Sequence, residues 1–327
     1  MSDVTILPIA VDAMGGDKAP GEIVAGARQA ASEGIPVLLV GRVGELGDVG
    51  DLPVLPASEV IEMGEDAAGS VRRKKDSSLV RAAEAVRDGK ASAMVSAGNT
   101  GATMASALFR MGRIKGVSRP AIATPIPVPG GSPTVLLDSG ANAEVSAEWL
   151  VQFAQMGSVL SHHRFGVAVP RVGLLSIGEE PGKGDALRKE AFELLGAASG
   201  IHFVGNVEGR DMMTGDVDVV VTDGFTGNVV LKTLEGGLKA IVKGLLAAFG
   251  AEPAYAEATQ TLMPALLGLY AVLDPETYGG AMLLGVDGVC IISHGSSSAR
   301  AMVNAIKVGA DMVHAGLVDH LRAAVGS

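Results

Sequence analysis

Two hydrophobic rhythms alternate along this chain. Short apolar runs end abruptly in Gly, Asp, Asn or Ser, and each gives way to a longer stretch with apolar positions three and four apart. The short runs read as strands of a parallel sheet covered on both faces, and the longer stretches as amphipathic helices. Strands are predicted over Ile6–Val11, Val37–Val40, Ala93–Ser96, Thr134–Leu137, Val172–Ile177, Val219–Val221 and Val289–Ile292, with weaker ones at Leu52–Ala57, Val60–Met63 and His202–Val204. Helices are expected at 20–33, 79–87, 100–111, 147–160, 187–195 and 299–325.

The stretch VVVTDGFTGNVVLK shows the repeating unit most clearly. Val219–Val221 breaks at Asp223-Gly224, Gly227 follows, and from Asn228 onward Val229, Val230, Leu234 and Leu238 share a helical face. Backbone N–H groups at a helix start have no partner within the helix and attract anions, so such junctions suit ligand binding. Asp223 and Thr226 are equally suited to capping the helix and nothing more. The device recurs after other strands: Asp12 with Gly15 and Gly16, Asn99 with Thr100, the Gly178–Gly184 loop with Lys183, and Ser293, His294 and Ser296. In a parallel sheet these ends would share one edge and face one crevice.

Between the helix opened by Asn228 and the last strand lies a region with more apolar surface than one core can use, about 234–275. Leu238, Ile241, Val242, Leu245, Leu246 and Phe249 make one face, and TLMPALLGLYAVL makes another. The expectation is a protruding helical hairpin that forms a dimer contact. Membrane contact is the alternative, but there is no Lys or Arg between Lys243 and Arg300 to meet anionic headgroups.

Composition narrows the class. The chain of 327 residues is 48% hydrophobic and only 3% aromatic, so its core must be aliphatic. A net charge of −10 argues against nucleic acid. The single Cys290 excludes an internal disulfide or a Cys-rich zinc site. The N-terminus lacks the basic and apolar regions of a signal peptide, and a cytoplasmic location is expected. Against the acidic background, Arg72, Arg73, Lys74 and Lys75 form one dense basic run, readable as a solvated helix entrance or as a surface for an acidic partner. No GxGxxG with a downstream acid, GxxxxGK[ST], HExxH or GxSxG occurs, so no cofactor or metal is implied.

The segments AVDAMGGD, RRKKDSS, VSAGNTGA, GRIKGVSRPAIAT, LVQFAQMGS, PRVGLLSIGEE, FVGNVEGRD, DGFTGNVVLKT, YGGAMLLGV and IISHGSSSARA run from residue 9 to residue 301. In this order the chain resembles the acyl-ACP:phosphate acyltransferase (PlsX) family of bacterial phospholipid synthesis. The resemblance implies a three-layer αβα sandwich with a mostly parallel sheet, similar to phosphotransacetylases and isocitrate-dehydrogenase-like enzymes, and a homodimer. It implies transfer of a fatty acyl group from acyl carrier protein (ACP) to inorganic phosphate, the acyl phosphate passing to a membrane glycerol-3-phosphate acyltransferase. A peripheral membrane association would fit that hand-over.

The family's Lys and Asn motifs fall on Lys183 and Asn228. On that reading Lys183 binds phosphate and offsets transition-state charge, and Asn228 is a neutral donor to the oxyanion or to phosphate. Asp12, Gly15, Gly16, Asn99, Thr100, Asp223, Gly224, Thr226, Gly227, Ser293 and Ser296 line the substrate, with Asp12 and Asp223 fixing turns or orienting Lys183. His294, on chemical grounds alone, would orient phosphate or protonate the leaving thiolate. Arg72, Arg73, Lys74 and Lys75 would meet ACP. Two departures concern the lysine loop: Pro181-Gly182 replaces a bulkier pair, and Asp185 stands where Asn is common. The hairpin is also shorter and more acidic than in relatives with Lys there. Competing readings are a CoA-dependent short-chain phosphotransacetylase, a decarboxylating dehydrogenase of related fold, and a non-catalytic membrane scaffold.

Overall fold

The computed structural model describes residues 7–325. Ile6, the expected start of the first strand, lies outside them.

Among the described residues eleven strands form one sheet. In chain order they are β1 (Ile9–Asp12), β2 (Val37–Gly41), β3 (Val54–Pro56), β4 (Ala93–Ser96), β5 (Ala121–Ile126), β6 (Thr134–Leu137), β7 (Arg171–Leu175), β8 (His202–Val207), β9 (Val219–Val221), β10 (Ala281–Leu284) and β11 (Val289–Ile292). The helices are α1 (Gly21–Ser32), α2 (Ala67–Arg73), α3 (Ser78–Arg87), α4 (Thr100–Arg110), α5 (Ala147–Phe165), α6 (Ala186–Ala197), α7 (Gly224–Phe249), α8 (Ala256–Leu273), α9 (Ala299–His314) and α10 (Leu317–Val325). Val60–Met63 is irregular rather than a strand.

Alternation along the strands builds the three layers. Ile9 and Val11 of β1, with Ala93 and Val95 of β4, pack under α1, α5, α6, α9 and α10. Ala10 and Met94 point the other way, into a second core with α3 and α4. A third, smaller core places Leu136, Leu175 and Val220 under the first turns of α7. With few aromatic residues available, Phe153 is the only ring among the largest fully buried side chains. Each buried Val, Ile or Leu contributes about 1.5–3 kcal/mol through its apolar surface.

The strand order is β3-β2-β1-β4-β11-β10-β5-β6-β9-β7-β8. β1 runs parallel to β2 and β4, and β4 parallel to β11. β10 is antiparallel to both β11 and β5, and β5 is antiparallel to β6. β6, β9, β7 and β8 are again mutually parallel. Hence β1, β4 and β11 end at one edge of the sheet, here the first edge, while β6, β7 and β9 end at the opposite, second edge. The expectation of one shared edge is therefore corrected. β10 and β5, which carry the reversal, had not been anticipated as strands.

α7 and α8 form the hairpin. Beyond its first turns α7 leaves the body: Gly224 and Gly227 are its only buried residues, and α8 has none. Ile241 and Leu267 are 67% and 57% exposed. No helix among the described residues is long and apolar enough to cross a membrane.

Candidate active site

The expected site residues fall into three groups. At the first edge, the turns after β1, β4 and β11 are pressed together. A Cβ on Gly15 would stand 2.5 Å from the Asp12 carboxylate and 2.8 Å from the Gly98 nitrogen. Asp17 donates its backbone N–H to Gly295 O at 2.7 Å beside Gly16. Asp12 is buried and accepts from Ser96 Oγ at 2.7 Å and the Met14 amide at 3.3 Å. Burial raises its pKa above the usual carboxylate value, against the pull of its Ser78 and Ser96 hydrogen bonds. Asn99 caps α4 through the Ala102 amide and gives its own Nδ2 to Met63 O at 2.8 Å, while Thr100 begins the helix, exposed. Ser293 shares a hydrogen bond with Ser297, and the exposed His294 Nδ1 lies 2.8 Å from Ser296 Oγ. Asp12 thus ties its own turn to the end of β4, and among the described residues it has no hydrogen bond or ion pair with Lys183.

At the second edge, three loops leave adjacent strand ends. Leu137 is in register with Val221, and Val221 with Leu174. The loop after β6 wraps around Asp138, which is buried and accepts from five N–H groups on Ile122, Gly140, Ala141 and Asn142 at 2.7–3.1 Å. Burial still pushes the Asp138 carboxyl upward. α7 begins directly against this loop: the Gly224 amide donates to Asn142 O at 2.7 Å. A Cβ on Gly224 would meet Asn142 O at 2.6 Å, and one on Gly227 would stand 1.9 Å from the Asp138 carbonyl oxygen. Both positions therefore require glycine.

Asp223 caps α7, accepting from the Thr226 amide and hydroxyl, each at 2.8 Å. Its ion-pair partner is Arg188, not Lys183. Burial opposes ionisation of Asp223, but the Thr226 donors and the Arg188 guanidinium hold its carboxyl below the usual range. Arg188 also donates to Thr222 Oγ1 at 3.1 Å, Thr226 Oγ1 at 3.2 Å and Asp185 Oδ2 at 3.0 Å. Arg188 and Asp138 were not among the expected residues. Asp138 had a signal in the Asp-Ser-Gly turn; Arg188 had only its place three residues after a helix-capping Asp.

Lys183 and Asn228 are exposed at this edge, and among the described residues neither side chain has a hydrogen-bond or ion-pair partner. A Cβ on Gly140 would lie 3.7 Å from Asn228 Cβ, and one on Gly178 would lie 2.9 Å from Lys183 Cγ. The exposed Ile177 and Phe225, 82% and 68% accessible, add apolar surface beside these polar groups.

The third group is the basic run. Lys74 is consumed internally by Glu65 and by Val60 O at 2.7 Å; hydrogen bonds from Lys74 and Ser70 bring the Glu65 carboxyl down to about 2. Arg73 donates to Ser70 Oγ at 3.2 Å. Arg72 sits over the Phe109 ring, 5.3 Å from its centroid, and with Lys75 and Arg110 lines an open hollow of about 530 Å³. α4 starts at the first edge and its far end reaches toward the second: Ile114, just beyond it, donates to Gly285 O, next to the end of β10.

The fold matches solved phosphotransacetylases. One from Streptococcus pyogenes superposes with a TM-score of 0.63 at 18% identity over 94% of each chain, and the EutD phosphotransacetylase from Staphylococcus aureus with 0.61 at 17%, again over 94% of each. At that identity the likeness concerns the fold alone. The sequence decides the family: residues 7–320 match the model of the fatty acid synthesis protein family. The chain belongs to this family. Its curated relatives include a phosphate acyltransferase from Pelotomaculum thermopropionicum, 49% identical over 98% of this chain and 96% of that protein. Another from Exiguobacterium sp. is 47% identical over 97% and 99%. As a member of the fatty acid synthesis protein family it is an acyltransferase, carried on an αβα scaffold. Among the described residues no group of three or more His, Cys, Asp or Glu is gathered in metal-binding geometry.

Proposed function

We propose that this enzyme transfers a long-chain acyl group from acyl-ACP to inorganic phosphate, and that the acyl phosphate enters glycerophospholipid synthesis. The observation that carries the reading is the second edge: two side chains of the right chemistry, Lys183 and Asn228, stand unpartnered beside a helix start pressed close by glycine. The relatives' name, phosphate acyltransferase, supplies the acceptor.

Phosphate is itself the nucleophile. Its oxygen attacks the thioester carbonyl, the C–S bond breaks, and the carrier leaves as a thiolate that takes a proton from water. The protein must bind an anion and stabilise a tetrahedral oxyanion, and needs no nucleophile of its own. Cys290 could not serve as one: it is fully buried and its thiol is pushed up to about 12. Lys183 holds phosphate and offsets transition-state charge. Asn228 donates to the oxyanion, while Gly224, Thr226 and Gly227, whose amides are engaged by Asn142 O, Asp223 Oδ1 and Asp223 O, shape the helix start beside it. Ile177 and Phe225 offer apolar surface to the acyl chain. His294, Asp12, Gly15, Gly16, Asn99, Thr100, Ser293 and Ser296 stand at the other edge and support the fold in this reading. ACP, an acidic partner, meets Arg72 and Lys75. The uncovered hairpin face packs against a second copy, and the product passes to a membrane glycerol-3-phosphate acyltransferase.

The test is an acyl-phosphate assay with phosphate and either palmitoyl-ACP or acetyl-CoA. Turnover with palmitoyl-ACP is expected. Turnover with acetyl-CoA alone would replace this reading with that of a short-chain phosphotransacetylase, whose fold the solved neighbours share.

A further inference from the structure

At the second edge the Arg188 side chain reaches four partners. Its side chain is 12% exposed, and its partners lie on two separate segments. Nη2 reaches Thr222, Asp223 and Thr226 around the start of α7, while Nη1 turns back to Asp185, which caps α6. The backbone is tied to it as well. The Arg188 amide donates to Asp185 Oδ1 at 2.9 Å. Gly184, at φ +100°, leaves no room for a side chain: a Cβ there would stand 2.6 Å from Arg188 Cβ and 3.0 Å from Ser176 Oγ. Lys183 directly precedes this glycine. Elsewhere its loop is held by few bonds: the Lys183 amide to Glu180 O at 3.0 Å, Asn206 Nδ2 to the same oxygen at 2.9 Å, and the exposed Arg210–Glu179 pair.

We infer that Arg188 is a positioning residue that joins the Lys183 loop to the first turn of α7 and thereby sets the spacing between Lys183 and Asn228. The inference rests on the proposed role of those two residues. A planar fork suits the task, because one guanidinium serves acceptors on two sides, whereas an ammonium is a point charge. Asp185 deepens the arrangement: a carboxylate here, where the resemblance implies Asn, gives Arg188 a second charged partner. With both carboxylates engaging it, Arg188 is occupied within the fold and acts on substrate only through Lys183 and Asn228.

The experiment compares Arg188→Met, Arg188→Lys and Asp185→Asn with Arg171→Met. Arg171 makes a similar pair, donating from Nε to Asp218 at 2.8 Å, but it sits at the start of β7, across the sheet from Lys183. Arg188→Met should lower kcat for acyl-phosphate formation about 100-fold, as expected for misplaced reacting groups, and raise KM for phosphate. Arg188→Lys should recover about a tenth of wild-type kcat, and Asp185→Asn should lose only a few-fold. Arg171→Met should reduce thermal stability with kcat and KM unchanged. If Arg188→Met lowers only stability, as Arg171→Met does, the inference is overturned. Should Arg188→Met not fold, Arg188→Lys decides: full kcat there overturns it as well. Lys183→Ala, measured in parallel, separates the two levels. Full turnover in that variant would refute the active-site reading itself, whatever Arg188 does.

Discussion

The two edges of the sheet carry turns that look alike in sequence and behave differently in the fold. Both are built from glycines, small polar residues and helix starts. At the first edge several polar groups are occupied with one another: Ser96 donates to Asp12, Ser293 bonds Ser297, His294 contacts Ser296, and Asn99 caps its helix while holding Met63 O; the Thr100 side chain has no such partner among the described residues. At the second edge Asp138, Asp223 and Arg188 are likewise satisfied, but they frame Lys183 and Asn228, which are not. Buried polar groups in a finished fold find partners. Polar side chains left over at the mouth of such a frame are available for a ligand, and at the second edge they include a cation, Lys183, suited to an anionic substrate.

The sharpest way to break this comparison is to truncate one residue at each edge. Lys183→Ala should lower kcat by about 100- to 1,000-fold, the scale of losing one charge-stabilising donor. His294→Ala should stay within a few-fold of wild type in the same acyl-phosphate assay. Comparable losses from both would mean that the two edges act together, and would break the distinction between them. A second measurement probes the frame: Gly227→Ala forces a methyl group into the Asp138 carbonyl, and calorimetry should record a loss of at least about 1–3 kcal/mol. An unchanged melting temperature would show that the contact is not the constraint argued above. The smallest expected effect lies outside both edges. Joint Arg72→Glu and Lys75→Glu should raise KM for acyl-ACP several-fold at low salt, and the difference should shrink as ionic strength rises. Equal KM values at low salt would return that run to solvated surface.

Much of the fold was legible. β-branched runs such as Val219–Val221 gave the interior strands, and Asp223, Asn99, Asp185 and Ser298 cap helices as their residue types suggest. What escaped was direction. β5 reads AIATPI, with Pro125 inside it, and β10 is four residues placed after a pair of glycines, so neither carries a strong strand signature. Those two strands reverse the sheet, and without them every strand end falls on one side. Lys183 and Asn228 could be singled out because their motifs are unusual; Arg188 could not, because its importance lies in partners 34 to 38 residues away along the chain.

The same reversal governs how the sheet can be assembled. Strands β6, β7, β8 and β9 lie within residues 134–221 and pair only with one another, apart from the contact of β6 with β5. On the other side, Ala93 of β4 waits for Val289 of β11, and β5 waits for β10. A chain emerging from the ribosome therefore carries two open strand edges at the middle of its future sheet until the residues beyond 280 have been made. Long-range pairing of this kind is slow to form, and unpaired edges are where chains join one another wrongly. The short β10–β11 segment is thus the closing piece of the whole architecture.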